Sequence, residues 1–207
     1  MDCPEPVAAL KSIDLDIKYG EFISVTGTSG SGKTTLLNLA AGLDTPTGGD
    51  ILIDGQCISD LQQDQLTVFR RRQIGMVYQN FNLLDILNIK ENITFPLELD
   101  GTLADWAYIL KLCRMLGIAQ KLDALPAQLS GGEQQKAAIA RALAGKPAIL
   151  LAYEPTVSLD GKSGLDVLGL LKSMNQELGQ TIMMVTHHPQ AAQFADRIVR
   201  IEDGRIL

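Results

Sequence analysis

The sequence predicts an α/β fold with a mainly parallel β-sheet, and two observations lead to this prediction. Short apolar segments of strand length alternate with longer segments of helical pattern towards both ends of the 207-residue chain. Between them, from about residue 80 to residue 141, the pattern is helical throughout. Parallel strands need crossover connections, so this alternation around a helical block favours a parallel sheet with an inserted helical subdomain.

The predicted elements of the first part of the chain follow from periodicity. Ile13, Leu15 and Ile17 alternate with charged residues, which is typical of a half-buried strand. Glycine and proline mark the turns between the other segments. Strands are predicted at residues 13–17, 22–25, 51–53 and 74–78, and helices at residues 33–41 and 64–72.

The second part of the chain is predicted in the same way. The helical block holds a periodic segment at residues 104–116 and a proline-containing loop at residues 124–128. Strands are then predicted at residues 149–152 and 181–185, with a closing hairpin formed by residues 198–201 and 205–206. Helices are predicted at residues 136–144, 163–178 and 191–195.

The composition excludes several classes of protein. Hydrophobic residues make up 46% and charged residues 20%, which are ordinary globular values and not those of a disordered or collagen-like chain. The formal net charge of −6 offers no basic field, so nucleic acid is not a predicted partner. Three scattered cysteines cannot form a complete disulfide framework, which favours a reducing compartment. No signal peptide or membrane-spanning stretch is predicted.

A glycine-rich motif between a predicted strand and a predicted helix is the first segment that indicates a binding function. Residues 27–34 read GTSGSGKT and match GxxxxGK[ST] in full, in the context that confirms this motif. Backbone N–H groups of such a turn point at phosphate oxygens, and the helix dipole adds positive potential. Lys33 is expected to reach the β- and γ-phosphates, and the Thr34 hydroxyl to ligate Mg²⁺. The predicted nucleotide-binding residues are Gly27, Thr28, Ser29, Gly30, Ser31, Gly32, Lys33, Thr34 and Thr35.

Further segments narrow the type of phosphate-binding protein. LSGGEQQ at residues 129–135, ILLAYEPT at 149–156, VTHH at 185–188 and a glutamine after the strand at 74–78 follow in this order. In order and spacing they resemble the ATP-binding subunit of ABC transporters, over essentially the whole chain. The resemblance implies a P-loop NTPase core with an antiparallel β edge, in one domain over residues 1–207. The core would cover about residues 1–79 and 142–207, and the helical subdomain about residues 80–141.

The resemblance also implies roles for individual residues. Glu154 would be the catalytic base, and a carboxylate at a strand end can polarise water for attack on the γ-phosphate. His187 would contact the γ-phosphate, and Gln79 would contact Mg²⁺ or water. A second anion site is predicted at Ser130, Gly131 and Gly132, which can present a hydroxyl and bare N–H groups at a helix start. In the family this segment covers the ATP of a second subunit, bound head to tail.

The segment FRRRQIGMVYQNFNLLDILNIKENITFPLELDG is similar to the branch that includes lipoprotein-release, macrolide-export and peptide-antibiotic-resistance ATPases. This implies ATP and Mg²⁺ as cofactors, a homodimer or paired ATPase subunit, and a membrane-spanning transporter subunit. The chain would be cytoplasmic and bound to the inner face of the membrane through that partner, and transport would be export. The apolar residues between 81 and 87 belong either to the core or to a groove for a helix of the membrane subunit.

Two departures from the family pattern bear on activity. Tyr153 stands where the family has an aspartate that holds Mg²⁺, and a neutral phenol is no anionic ligand. No aromatic residue precedes Tyr19, which lies in the wrong turn to stack on adenine, and the loss of stacking would cost about 1–3 kcal/mol. Either the start is truncated or the adenine is held differently.

Two hypotheses therefore stay open. The chain is either a transporter ATPase whose turnover Tyr153 reduces, or a subunit that binds ATP and dimerises but barely hydrolyses it. A third class, the ABC proteins of DNA repair or translation, is disfavoured because 207 residues leave no room for a long coiled coil or a second domain.

Overall fold

The structure, a computed structural model, describes residues 8–207. The strands are β1 (Phe22–Thr26), β2 (Leu52–Ile53), β3 (Gln56–Cys57), β4 (Ile74–Val77), β5 (Ile149–Tyr153), β6 (Thr181–Val185), β7 (Arg197–Glu202) and β8 (Arg205–Ile206). Six of them form a central sheet in the order β4-β5-β6-β1-β7-β8, and β2 and β3 form a separate hairpin. The central sheet is parallel except for β8, which pairs antiparallel with β7.

Helices follow most of the parallel strands, as right-handed crossover connections require. The helices are α1 (Lys33–Ala40), α2 (Gln63–Gln73), α3 (Ile89–Leu99), α4 (Trp106–Met115), α5 (Gly131–Leu143), α6 (Gly161–Leu178) and α7 (Pro189–Ala192). Two short 3₁₀ turns, Ala119–Lys121 and Pro126–Gln128, lie between α4 and α5.

Two apolar clusters cover the two faces of the sheet. Phe22 of β1 joins the cluster formed with α3, α4, α5 and α6, whereas Ile23 joins the cluster formed with α1 and α2. Successive strand residues point to opposite faces, so both sets of side chains are buried. This explains why the central strands read as continuous apolar runs. The α/β fold with a mainly parallel sheet and an antiparallel edge is confirmed.

Some boundaries predicted from the sequence are wrong. Residues 13–17 alternate between half-buried and exposed side chains, yet they pair with no strand among residues 8–207. Alternation reports which side chains pack, and Ile13, Leu15 and Ile17 do pack on the core, but it does not supply a hydrogen-bonding neighbour. Helix α5 begins at Gly131 and not at residue 136, because Ser130 caps it. The predicted subdomain boundary near residue 141 lies within this helix, and the division into a core and a helical subdomain stays a prediction.

Candidate nucleotide-binding site

Four of the predicted motifs follow four neighbouring parallel strands. Gly27 follows β1, Gln79 lies two residues after β4, Glu154 follows β5 and His187 lies two residues after β6. The strands are adjacent in the order β4-β5-β6-β1, so these residues come to one edge of the sheet. The carboxyl-terminal edge of a parallel sheet is where ligands bind in open α/β folds.

The phosphate loop connects β1 to α1. Residues 27–32 form the turn, and Lys33, Thr34 and Thr35 make the first turn of the helix. Gly32 provides no side-chain cap, so the N–H groups of that first turn are left for an anion.

The loop requires glycine at two closely packed points. A Cβ atom at Gly27 would lie 2.1 Å from the carbonyl oxygen of Ile201. At Gly32, where φ is +106°, a Cβ atom would lie 2.6 Å from the carbonyl oxygen of Ala9. At both points the loop backbone lies so close to neighbouring backbone that a side chain does not fit.

The Lys33 side chain folds back across the loop. Its Nζ donates to the carbonyl oxygens of Gly27 (2.9 Å) and Thr28 (2.6 Å), and the residue is 9% exposed. Within residues 8–207 no carboxylate forms an ion pair with this ammonium group. A buried cation without a counter-charge favours an anionic ligand, as a polyphosphate would be.

The catalytic candidates form a second cluster. Glu154 is 6% exposed and has a positive φ of 45°, a strained conformation. Its Oε1 accepts from the backbone N–H of His187 (2.9 Å) and lies 2.8 Å from the Nδ1 of the same residue. Its Oε2 accepts from the Thr186 hydroxyl at 3.2 Å. Because a carboxylate only accepts, this contact is a hydrogen bond when Nδ1 carries a proton, and Nε2 is then the ring nitrogen that makes no bond to Glu154.

Tyr153 contacts the residue that was predicted to ligate magnesium. The Thr34 hydroxyl donates to the phenol oxygen of Tyr153 across 3.4 Å. Neither side chain is a carboxylate, so neither supplies the anionic oxygen that a divalent ion prefers. Within residues 8–207 no three His, Cys, Asp or Glu side chains come together as a possible metal cluster. Thr34 and Gln79 offer neutral oxygen atoms, which could hold Mg²⁺ beside a bound phosphate but add no protein charge to it.

Gln79 lies half-buried beyond β4, and its side chain has no hydrogen-bond partner in the described part of the chain. Downstream, Leu83 packs against the core, whereas Leu84 is 40% and Ile86 is 89% exposed. The apolar segment thus divides between the two alternatives: part of it is core and part is open surface. Tyr19 is 85% exposed, in a turn away from the motifs.

The signature segment, residues 129–135, forms a capping box at the start of α5. The Ser130 N–H and hydroxyl both donate to Glu133 Oε2 at 2.9 Å, and the Glu133 N–H donates back to the hydroxyl. These bonds hold the pKa of Glu133 below its usual value. No hydrogen bond joins Ser130, Gly131 or Gly132 to the phosphate loop of the same chain in residues 8–207.

Three residues of this region were not identified from the sequence. Thr186 holds Glu154, and Gln135 and Arg141 of α5 hold the backbone on either side of Gln79. A helical projection could have found Gln135, since it shares a face with the buried residues Ala138 and Ile139. A polar side chain on a buried face needs a specific partner.

The comparisons with known proteins agree with this geometry. A family model described as "ABC transporter" matches residues 10–157. The chain is 46% identical to the macrolide export ATP-binding/permease protein MacB of Brucella melitensis, covering 97% of the chain but 31% of that protein. It is 43% identical to the bacitracin export ATP-binding protein BceA of Halalkalibacterium halodurans, covering 95% of the chain and 79% of that protein.

A solved structure is similar over the full chain. It is the dimeric, post-hydrolysis state of the ATP-binding cassette MJ0796 of Methanocaldococcus jannaschii, bound to ADP and Pi. The TM-score is 0.85 and the identity 42%, covering 100% of this chain and 92% of that one. Among the described residues no helix is long and apolar enough to span a membrane. The chain belongs to the ABC transporter family, as an ATP-binding cassette.

Proposed function

We propose that this chain binds and hydrolyses ATP to power an ABC exporter of the macrolide, lipoprotein or peptide-antibiotic type, and that Tyr153 slows the hydrolysis. The observation that carries the proposal is the sheet edge where the phosphate loop, Gln79, Glu154 and His187 meet. Its relatives MacB and BceA are named as export proteins, which supports the direction of transport.

Binding would begin at the phosphate loop. The Lys33 ammonium would exchange its bonds to the loop carbonyls for charge-assisted bonds to the β- and γ-phosphates, which are stronger. The N–H groups of residues 27–35 would surround the phosphates. Magnesium, when bound through Thr34 and Gln79, would neutralise phosphate charge.

The hydrolytic step would use the Glu154 cluster. Glu154 would accept a hydrogen bond from the attacking water, take up its proton and direct the oxygen at the γ-phosphorus in line with the leaving oxygen. The Thr186 hydroxyl and the His187 N–H fix the carboxylate in place. His187 would hold the γ-phosphate through Nε2, the ring nitrogen that does not face Glu154.

A second copy of the chain or a paired ATPase subunit would complete the site. Ser130, Gly131 and Gly132 would cover the partner's ATP, in keeping with their lack of hydrogen bonds to the phosphate loop of their own chain. The dimeric MJ0796 cassette supports this arrangement. The exposed Ile86 and Leu84 would contact a membrane-spanning subunit at the cytoplasmic face, and this contact would hold the chain at the membrane.

Slow hydrolysis would follow from the missing negative charge at Tyr153. The phenol oxygen accepts the Thr34 proton, which leaves the lone pairs of Thr34 free, but it supplies no negative charge for Mg²⁺. Loss of one charged interaction in the transition state costs about 1.5–3 kcal/mol, which corresponds to a rate lower by about 10–100-fold. The second candidate, a subunit that binds ATP and dimerises with almost no hydrolysis, rests on the same missing charge.

The test is Mg²⁺-dependent phosphate release by the wild-type chain, Tyr153→Asp and Tyr153→Phe. We expect Tyr153→Asp to accelerate release about 10–100-fold. Tyr153→Phe removes the contact with Thr34 without adding charge, so it should gain little. Equal and brisk rates in all three chains would contradict the proposal that Tyr153 slows hydrolysis. Release by Tyr153→Asp with none by the wild-type chain would favour the second candidate.

A further inference from the structure

Gln135 of α5 bridges the ends of two strands. It is fully buried, and its Nε2 donates to the carbonyl oxygens of Tyr78 (3.2 Å) and Pro155 (2.8 Å). Tyr78 immediately precedes Gln79, and Pro155 immediately follows Glu154. One side-chain amide therefore fixes the spacing between the backbones that carry two of the catalytic candidates.

The other half of this amide has no partner. Gln135 Oε1 is buried without a hydrogen bond within the described residues. An unpaired buried acceptor is unfavourable for folding, so an apolar residue at this place would spare that cost. What Gln135 contributes is the pair of N–H bonds to Tyr78 and Pro155, and hence the position of the two strand ends.

The same helix holds the continuation of the Gln79 segment. Arg141 donates to the carbonyl oxygens of Phe81 (2.9 Å) and Asn82. Phe81 and Asn82 both have positive φ, a conformation that needs such support. The backbone on both sides of Gln79 is thus bound to α5, the helix that Ser130 begins.

We propose that Gln135 is a positioning residue that sets the start of α5, with its ATP-covering segment, against Gln79 and Glu154. This inference rests on the proposed function, because it assigns the bridge to the ATP-dependent association of two subunits. Without the bridge, α5 can turn relative to the sheet edge. The Gln135 amide makes its hydrogen bonds to Tyr78 and Pro155 and none to the phosphate loop. Loss of this amide should therefore leave ATP binding to a single chain intact.

The chain contains a matched control in Gln180. It is also buried, and its Nε2 donates to the carbonyl oxygens of Pro147 and Thr181, both at 3.1 Å. This second bridge lies at the amino-terminal ends of β5 and β6, the opposite edge of the sheet. Gln180→Met removes the same type and number of bonds as Gln135→Met, away from the nucleotide.

The first measurement is hydrogen–deuterium exchange of the full-length chain without nucleotide. In Gln135→Met, amides of residues 79–82 and 156–157 should exchange about fivefold faster than in the wild-type chain. In Gln180→Met those amides should be unchanged. Both variants should lower the melting temperature, whereas Gln135→Met alone should change exchange at the nucleotide edge, which separates the effect on position from a general loss of stability.

The second measurement is sedimentation velocity with ATP and Mg²⁺, beside titration of each chain with ATP. Gln135→Met should raise the dimer dissociation constant about tenfold or more while ATP affinity stays within about twofold. Gln180→Met should change neither quantity.

Three results would overturn the inference. They are unchanged exchange at residues 79–82 in Gln135→Met, unchanged dimerisation in Gln135→Met, and equal loss of dimerisation in the two variants. A wild-type chain that binds no ATP would instead overturn the proposed function, and with it the role of Gln135 in the association of two subunits. A wild-type chain that binds ATP and dimerises, beside an unaffected Gln135→Met, would overturn the role of Gln135 alone.

Discussion

Alanine at position 27 should damage the protein far more than alanine at position 30, although both residues are glycines of the same loop with positive φ. At Gly27 the new Cβ atom would meet the Ile201 carbonyl oxygen at 2.1 Å and the Ser31 hydroxyl oxygen at 2.7 Å. At Gly30 no atom lies within 4 Å of the new Cβ atom.

The magnitudes follow from these contacts. An alanine held at an unfavourable positive φ costs about 1–3 kcal/mol at either position. Overpacking by one methyl group adds about 1–3 kcal/mol at Gly27 alone. We therefore expect Gly27→Ala to lower the free energy of unfolding by about 2–6 kcal/mol, against about 1–3 kcal/mol for Gly30→Ala. Gly27→Ala should also lose ATP binding, because the loop cannot keep its shape.

Urea unfolding of the two variants, followed by circular dichroism, measures the difference, and titration with a fluorescent ATP analogue measures binding. Gly48→Ala is the control, since Gly48 has ordinary φ and no atom within 4 Å of its Cβ position. Equal destabilisation at positions 27 and 30 would refute the claim that Ile201 confines the loop.

Three further predictions concern the catalytic cluster and the signature segment. Glu154→Gln should keep ATP affinity and abolish phosphate release, as measured by ATP titration and a phosphate assay; release at the wild-type rate would exclude Glu154 as the base. Thr186→Val should lower phosphate release about 10-fold by freeing the Glu154 carboxylate, whereas Thr186→Ser should not; equal rates would contradict its positioning role. The pKa of Glu133 is lowered by its bonds to Ser130, so its stabilisation is present above the unfolded value of about 4.5 and is lost as pH falls through the folded pKa. The melting temperatures of wild-type and Glu133→Gln chains should accordingly converge on acidification, and a difference that is constant with pH would refute this.

Much of the site could be predicted from the sequence, because its motifs follow strands. A parallel sheet brings the carboxyl ends of its strands to one edge, so Gly27, Gln79, Glu154 and His187 could be grouped without coordinates. The two-residue periodicity likewise identified the packed side chains of residues 13–17. It could not tell whether a neighbouring strand was present to pair with them.

The contacts that depend on long-range packing could not be predicted. The sequence shows that Tyr153 is no carboxylate, but not that its hydroxyl reaches Thr34. The bridge from Gln135 spans 57 positions to Tyr78 and 20 positions to Pro155, and no local pattern encodes such distances. Arg141 and Thr186 act through tertiary contacts of the same kind.

Calorimetric titration of the purified full-length chain with ATP and Mg²⁺, beside Lys33→Met, tests most directly whether the loop after β1 binds the nucleotide. The wild-type chain should take up ATP. Lys33→Met, which keeps the length of the side chain and removes its charge, should take up little or none. No uptake by the wild-type chain at millimolar ATP, or equal uptake by Lys33→Met, would contradict the claim that the loop after β1 holds the triphosphate.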